Sequence, residues 1–358
     1  MDLSSLKLGV AFNLLVRTMP IMLIRLGVML LFWVVALIYL AVVGGVAFLI
    51  GNAIDWLGFI IFFVAIVSVV PLYNLAYRYV FYMIKAAHIA VMAELLTNDK
   101  LKLPPGRGQL EYGKNRVQEK FGEVNAMFVV DEIVQGVVRA FTRTVYSIAR
   151  WLPGDTLDTL VKVINRVIIF ATSYVDEAIL ARSYWQSEDV DVWENARDGV
   201  VLYAMSWKPI IMSAVALMFI SYLPSIVAFV VFAAPIGFLL SLISTQLAGW
   251  SLIFLLFFAW VVKVAVGDAF AVAAIITTYH HETAGKTPDP QMAARLDQVS
   301  DQFSQLKQRA QDAMTKPQPQ AGDAPSSEMS PTPTQHTPPT PPKPNTDSPP
   351  TPSNDPAI

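Results

Sequence analysis

The sequence predicts an all-α integral membrane protein with four transmembrane helices arranged as two hairpins. Long apolar runs without an ionisable side chain match the roughly 20 residues that span the hydrocarbon layer of a bilayer. The composition agrees, because 54% of the 358 residues are hydrophobic, only 15% are charged, and the mean hydropathy is +0.48. Soluble proteins carry about 25% charged residues. A soluble cytosolic protein is therefore excluded.

The predicted spans fall into two pairs. One pair forms a hairpin within residues 1–97, and the other forms a hairpin within residues 199–290. The two halves share an apolar pattern, which reflects either a duplication or the common composition of helical hairpins. The four runs are Leu26–Gly51, Leu57–Tyr77, Pro209–Ile243 and Gly249–Val262, the last of which continues past Lys263 and Asp268 to Tyr279.

The distribution of Lys and Arg predicts the topology. These side chains resist translocation and therefore mark the cytoplasmic side of a membrane. The links Asn52–Trp56 and Ser244–Trp250 contain no Lys or Arg, whereas residues 98–124 contain six. We therefore expect both termini in the cytoplasm, in a multi-pass protein of the plasma membrane.

The central region, residues 98–198, is predicted to form amphipathic helices that are cytoplasmic or interfacial. From Val124 to Leu152 the apolar residues repeat with the spacing of one helical face. A second helix follows the Pro153-Gly154-Asp155 break. These helices either pack together in the cytoplasm or lie among lipid headgroups; alternatively, Val167–Tyr174 enters the membrane and makes a six-span bundle. The candidate headgroup contacts are Arg139, Arg143 and Arg150.

The C-terminal region divides into two parts. Residues 291–314 are predicted to form a short coiled-coil-like helix, because apolar residues recur at alternating spacings of three and four. This helix either forms a homo-oligomer or packs against the central helices. Residues 315–358 are rich in Pro and Thr and are predicted to be disordered. This tail is a ligand for a protein partner that binds proline, a target of proline-directed phosphorylation, or an inert segment.

Candidate chemistry is sparse. The chain has no cysteine, no glycine-rich phosphate loop and no hydrolase or metalloprotease motif. His280, His281 and Glu282 are adjacent, and neighbouring helical residues point about 100° apart, so the three cannot converge on one metal ion. We therefore expect no enzymatic activity, no cofactor, no metal site and no nucleic-acid partner; the expected contact is the lipid bilayer.

Four polar residues near the ends of the spans are candidates for transport or another intramembrane role: Asn74, Arg78, Lys263 and Asp268. Asp268 follows Lys263 by five residues, about 140° around an α-helix, which predicts no simple ion pair between them. If one helix runs from Gly249 to Tyr279, both lie near its centre, where charges usually line a cavity. If the span is Leu242–Val262, both are interfacial. We favour the second arrangement by analogy with Arg78.

Three segments distantly resemble the C-terminal half of the choline transporter-like proteins. They are Val161–Arg166, Asn195–Gly199 and Val264–Ala269. In that family the corresponding parts are an Asn-Arg helix, a Ser-Ala-Lys/Arg-Asp-Ala segment and a late Val-Asp-Thr helix. The resemblance implies a carrier for a small solute such as an organic cation.

Two functional hypotheses follow. The first is a non-enzymatic membrane scaffold or complex subunit that acts through its cytoplasmic helices and tail. The alternative is a small-solute transporter or channel subunit, distantly choline transporter-like. The depth of Lys263 and Asp268 in the fold distinguishes an intramembrane role for these two residues from an interfacial one.

Overall fold

The computed structural model describes residues 7–103, 107–122, 124–149, 172–186 and 190–315. These residues are almost entirely helical, and none of them lies in a β-strand. The all-α prediction is therefore confirmed for this part of the chain. Most of the predicted second amphipathic helix, most of the proposed extra span, Arg150 and the Pro-rich tail lie outside the described residues.

The described residues form the following α-helices. The first half contains α1 (Leu8–Arg17), α2 (Met19–Gly51), α3 (Asp55–Ala76), α4 (Tyr82–Thr97), α5 (Arg107–Phe121) and α6 (Val124–Ala149). The second half contains α7 (Val175–Ala181), α8 (Val192–Met205), α9 (Trp207–Ile220), α10 (Leu223–Ile243), α11 (Thr245–Gly249), α12 (Ser251–Val262), α13 (Asp268–Thr283), α14 (Pro290–Val299) and α15 (Asp301–Thr315).

Two π-helical turns occur at corresponding places in the two halves. Tyr77–Phe81 joins α3 to α4, and Lys263–Gly267 joins α12 to α13. Each pair of helices therefore runs on as one long helix. A π-helical turn within an α-helix often marks a functional position.

Four helices of the described chain are long and apolar enough to cross a membrane: Met19–Gly51, Asp55–Thr97, Trp207–Ile243 and Ser251–Thr283. Their lengths, 33 to 43 residues, exceed the roughly 20 residues that a bilayer requires. Such helices are those of a multi-pass membrane protein. The additional length of each helix belongs to a second region of the fold.

The apolar bundle, which we define as residues 30–76 and 221–260, exposes its large hydrophobic side chains. Phe48, Phe59 and Ile243 are each about 70% exposed, at 69%, 71% and 72%. A soluble protein rarely exposes contiguous apolar surface on this scale. The surface is therefore compatible with contact with lipid.

The helical body, which we define as residues 8–29, 82–103, 107–122, 124–149, 172–186, 190–220 and 261–315, contains the main buried core. α4 and α13 lie inside it, and their buried residues are distributed around the whole helix, as expected of helices surrounded by protein. Small residues allow close packing: a Cβ at Gly113 of α5 would lie 2.3 Å from the carbonyl oxygen of Ala87 in α4. The longest apolar helix, Asp55–Thr97, is thus shared between bundle and body.

α6 has the predicted amphipathic character. Val130, Val134 and Val137 are fully or almost fully buried, whereas Arg139 and Arg143 are exposed. The predicted helix from Val124 is therefore confirmed as far as Ala149, which is the last described residue of this segment.

The predicted coiled-coil helix is interrupted. Ser300 adopts an extended conformation and separates α14 from α15. Leu296, Phe303 and Leu306 of the predicted seam are buried inside the same chain, where α14 and α15 pack on α6 and α8. The seam thus packs against the central helices, the second of the two alternatives, and these apolar side chains are occupied without a second chain.

Candidate functional site

A charged cavity of about 450 Å³ lies where the helical body meets the apolar bundle. Its walls come from segments that are far apart in sequence: α2, α4, α6, α7, the two π-helical turns and α13. The charged side chains that line it are Arg25, Lys85, Asp131, Glu132, Asp176, Glu177, Lys263 and Asp268. Rings of Tyr77, Tyr82, Phe128 and Tyr174 complete the walls.

One ion pair in the cavity is created by the second π-helical turn. The Nζ atom of Lys263 lies 2.7 Å from Oδ1 of Asp268, and the Tyr174 hydroxyl donates to the same oxygen at 2.8 Å. The spacing of five residues predicts no such pair, and that prediction is wrong because it assumes α-helical geometry. In a π-helical turn, hydrogen bonds join residues five apart, so their side chains lie on one face.

Lys263 lies within a continuous helix and is buried there. One helix is continuous from Ser251 to Thr283, and Lys263 lies near its middle with only 7% of its surface exposed. Its ammonium group is 5.1 Å from the centroid of the Tyr222 ring. Lys263 and Asp268 therefore line the cavity from one continuous helix, and their depth in a bilayer stays a prediction.

A second group of charges surrounds Lys85. Its ammonium group forms an ion pair with Oε1 of Glu177. Asp176 accepts a hydrogen bond from Nε2 of Gln135 at 2.9 Å and another from the Glu177 backbone N–H at 3.0 Å. Oε2 of Glu177 and Oδ1 of Asp131 accept no hydrogen bond from any described residue.

The electrostatics of this group follow from burial and crowding. Burial raises the pKa of Asp131 and of Glu177, and Lys85 opposes both increases. Burial, together with the neighbouring Asp131 and Glu177, raises the pKa of Asp176 well above its usual range. The three carboxyl groups thus share one nearby ammonium group, which favours uptake of a further positive charge or a proton.

An aromatic cluster separates the cavity from the apolar bundle. It consists of Phe32, Trp33, Tyr73, Phe81, Phe257 and Trp260, with neighbouring ring centroids 4.9 to 6.2 Å apart. On α2, Trp33 lies two turns beyond Arg25 toward the bundle, and on α3 Tyr73 lies one turn beyond Tyr77. The cluster therefore fills the space between the helices directly beside the cavity.

The remaining predicted site residues lie elsewhere. Asn74 and Arg78 are exposed and do not line the cavity. The Arg78 guanidinium instead lies 4.9 Å from the centroid of the Phe128 ring. His280 is half-buried against the Trp185 ring, 5.0 Å away between centroids. The described part of the chain contains no group of three or more His, Asp or Glu residues that could hold a metal ion.

Sequence reasoning missed most of the cavity residues. A signal exists for Asp176 and Glu177, which are adjacent carboxylates within the otherwise apolar run Val175–Ala181. The sequence does not indicate a cavity role for Lys85 or Arg25, because each has the position of a cation that ordinarily flanks a membrane span.

No protein-family model, curated protein or solved structure matches the chain in any of the three comparisons. The resemblance to choline transporter-like proteins therefore remains a prediction. Of its three segments, Val264–Ala269 overlaps the second π-helical turn, and Asn195–Gly199 lies in α8, where the Gly199 carbonyl accepts a hydrogen bond from Tyr279 at 2.8 Å. Val161–Arg166 lies outside the described residues.

Proposed function

We propose that the chain is a non-enzymatic, multi-pass membrane protein that organises a membrane complex. Two helical hairpins anchor the helical body at the cytoplasmic face of the plasma membrane, and the body and the Pro-rich tail bind partner proteins. The observation that carries this proposal is the continuity of the four apolar helices, each of which leaves the bundle and enters the core of the body.

Contacts within each pair of spans support the hairpins. The Tyr39 hydroxyl of α2 lies 2.9 Å from the Ser68 hydroxyl of α3, and a Cβ at Gly58 would lie 2.5 Å from the Ala47 carbonyl oxygen. In the second pair, the Phe232 and Phe258 rings are 5.0 Å apart between centroids. Such close approach at glycine is common between membrane helices.

The charge distribution supports the cytoplasmic placement of the body. The links between α2 and α3 and between α10 and α12 contain no Lys or Arg. Both links lie at the end of the bundle that is remote from the body. Lys and Arg are concentrated instead in α5 and in the segment before it, and positive charge is retained in the cytoplasm.

The test is removal of the tail alone. Because the apolar face of α15 packs on the body, a deletion from residue 291 would damage the fold, whereas a chain that ends at Thr315 leaves the body intact. We expect in-cell crosslinking followed by mass spectrometry to show loss of at least one membrane-protein partner from this shortened chain. A second variant is the full-length chain with every proline after residue 315 replaced by serine. It tests whether the prolines are what the partner binds, and we expect it to behave like the deletion. An unchanged set of crosslinked proteins in both variants would contradict the proposal.

A small-solute carrier is the second candidate, and the charged cavity is the observation that favours it. The aromatic cluster weighs against it, because it fills the route from the cavity into the bundle. A carrier predicts that proteoliposomes take up labelled choline or methylammonium, that Asp268→Asn abolishes uptake, and that Glu94→Gln leaves it unchanged. Glu94 is a suitable control because it pairs with Arg116 outside the cavity. Uptake no faster than into empty liposomes would exclude transport of both cations.

A further inference from the structure

We propose that the charged cavity binds a small organic cation through a primary ammonium group, which lies between Asp131 and Glu177. This ligand site is independent of the scaffold role. Four buried or half-buried carboxylates, Asp131, Asp176, Glu177 and Asp268, face three cations, Arg25, Lys85 and Lys263. The carboxyl groups therefore outnumber the cations, and the exposed Glu132 adds a fifth carboxyl group.

Two carboxylate oxygens require a hydrogen-bond donor. Glu177 is only 4% exposed; its Oε1 pairs with Lys85, but its Oε2 accepts no hydrogen bond from any described residue. Within the described part of the chain, Oδ1 of Asp131 also accepts no hydrogen bond of ordinary geometry, and the Tyr82 hydroxyl, itself without a well-placed acceptor there, interacts with the Asp131 carboxyl group only weakly. Buried acceptors without donors are unfavourable, and a charged donor satisfies them best.

The missing donors define the chemistry of the ligand. A primary ammonium group supplies three N–H donors in a compact head, enough for both oxygens. A quaternary ammonium has the same charge but no N–H group, so it would leave both oxygens unsatisfied. The structure therefore selects against a ligand of the quaternary type that the sequence resemblance implies.

The size and walls of the cavity favour an organic cation over a metal ion. A volume of about 450 Å³ is far larger than a bare ion needs and falls in the usual range for small-molecule sites. The rings of Tyr77, Tyr82 and Phe128 provide apolar and cation–π contacts for an alkylammonium chain. Among the described residues, no cluster of three His, Asp or Glu side chains suits a metal.

The aromatic cluster determines how the ligand reaches the site. Because these rings close the cavity toward the apolar bundle, the ligand enters from the aqueous side of the body. The cavity is then a receptor site rather than a step in a path across the membrane. Occupancy satisfies Asp131 of α6 and Glu177 of α7 together, and so links these helices to each other.

The experiment measures binding by isothermal titration calorimetry to the full-length chain in lipid nanodiscs. The probe is n-butylammonium, with tetramethylammonium as the quaternary comparator and n-butanol as the neutral one. We expect n-butylammonium to bind with one site per chain, and at least about tenfold more tightly than either comparator. Asp131→Asn should weaken n-butylammonium binding by at least about tenfold. Glu94→Gln, outside the cavity, should leave it unchanged.

Three results would overturn the proposal: no binding of n-butylammonium to the unaltered chain, equal binding of n-butylammonium and tetramethylammonium, or equal weakening by Asp131→Asn and Glu94→Gln. If Asp131→Asn does not fold, the comparison of the three probes on the unaltered chain still decides between binding and no binding. Loss of partner proteins on tail deletion is measured separately, so the two proposals can fail independently.

Discussion

Gly267 is the position at which one methyl group tests the packing around the second π-helical turn. A Cβ built at this glycine would lie 1.9 Å from the carbonyl oxygen of Ser221 and 2.9 Å from its carbonyl carbon. Ordinary van der Waals contact begins at 3.4 Å. The oxygen would therefore have to move by 1.5 Å, the difference between 3.4 and 1.9 Å. Since the obstacle is backbone at the junction of α9 and α10, no side-chain rotation relieves it.

The expected magnitude follows from two opposing effects. Overpacking costs about 1–3 kcal/mol, and a backbone obstacle places Gly267→Ala near the upper limit. Alanine recovers about 1 kcal/mol through its higher helix propensity, although that value applies to α-helices. We therefore expect a net loss of about 2 kcal/mol.

Gly237→Ala is the matched control. Gly237 lies in α10, and a Cβ there would meet nothing within 4 Å. This substitution should be neutral or stabilise by up to about 1 kcal/mol. The assay is reversible unfolding of both variants in mixed micelles, followed by circular dichroism. Equal stability of the two variants would refute the packing at Ser221. Gly267→Ala should also weaken n-butylammonium binding, because the turn holds Lys263 against Asp268.

Two further predictions concern the acid cluster and the C-terminal helix. Because its pKa is raised in the folded chain, Asp176 binds a proton more tightly there than in the unfolded chain. The contribution of this proton to stability is therefore full at acid pH and is lost as the pH rises through the pKa of Asp176 in the folded chain. Asp176→Asn should flatten that decline and stabilise the chain by about 1 kcal/mol or more at about pH 8. Unfolding measured at several pH values tests this, and an unchanged slope of the free energy of unfolding against pH would contradict the prediction. Phe303→Ala should lower the free energy of unfolding by about 3–5 kcal/mol and make α15 sensitive to limited proteolysis, because the ring is only 1% exposed. Met314→Ala, at a site that is 52% exposed, is the control and should change neither property. Equal protease resistance of the two variants would refute the docking of α15.

The apolar spans could be predicted because lipid contact imposes a pattern that is read from composition alone. Leu31 and Phe59 need only be hydrophobic to face a bilayer, and both are exposed. The amphipathic face of α6 was predictable for a similar reason, since its valines follow the period of one helix. Such local patterns require no knowledge of distant residues.

The length and surroundings of the helices were less predictable. α4 and α13 are rich in apolar residues but lack one distinct apolar face, and the sequence does not distinguish a helix surrounded by protein from one surrounded by lipid. The helix that contains the span predicted to end at Tyr77 continues to Thr97. The two segments differ in what packs around them, which depends on α5, α6 and the rest of the body.

The cavity depended on features that local patterns do not contain. The Lys263–Asp268 pair requires a π-helical turn, and the pair between Lys85 and Glu177 joins positions 92 residues apart, as the difference between 177 and 85 shows. Tyr174 and Asp268 are similarly separated, by 94 positions. Only the packed tertiary structure brings these charges together.

The unbroken helix from Asp55 to Thr97 has a geometric consequence for any partner. At about 1.5 Å per residue, its 43 residues extend about 65 Å, of which a bilayer core takes about 30 Å. The remaining 35 Å or so contains the π-helical turn Tyr77–Phe81 and α4 but no loop, and α4 is packed inside the body. The body is therefore a platform of fixed height, and a protein docked beside Thr97 is held at a set distance from the lipid surface rather than tethered within a range of distances.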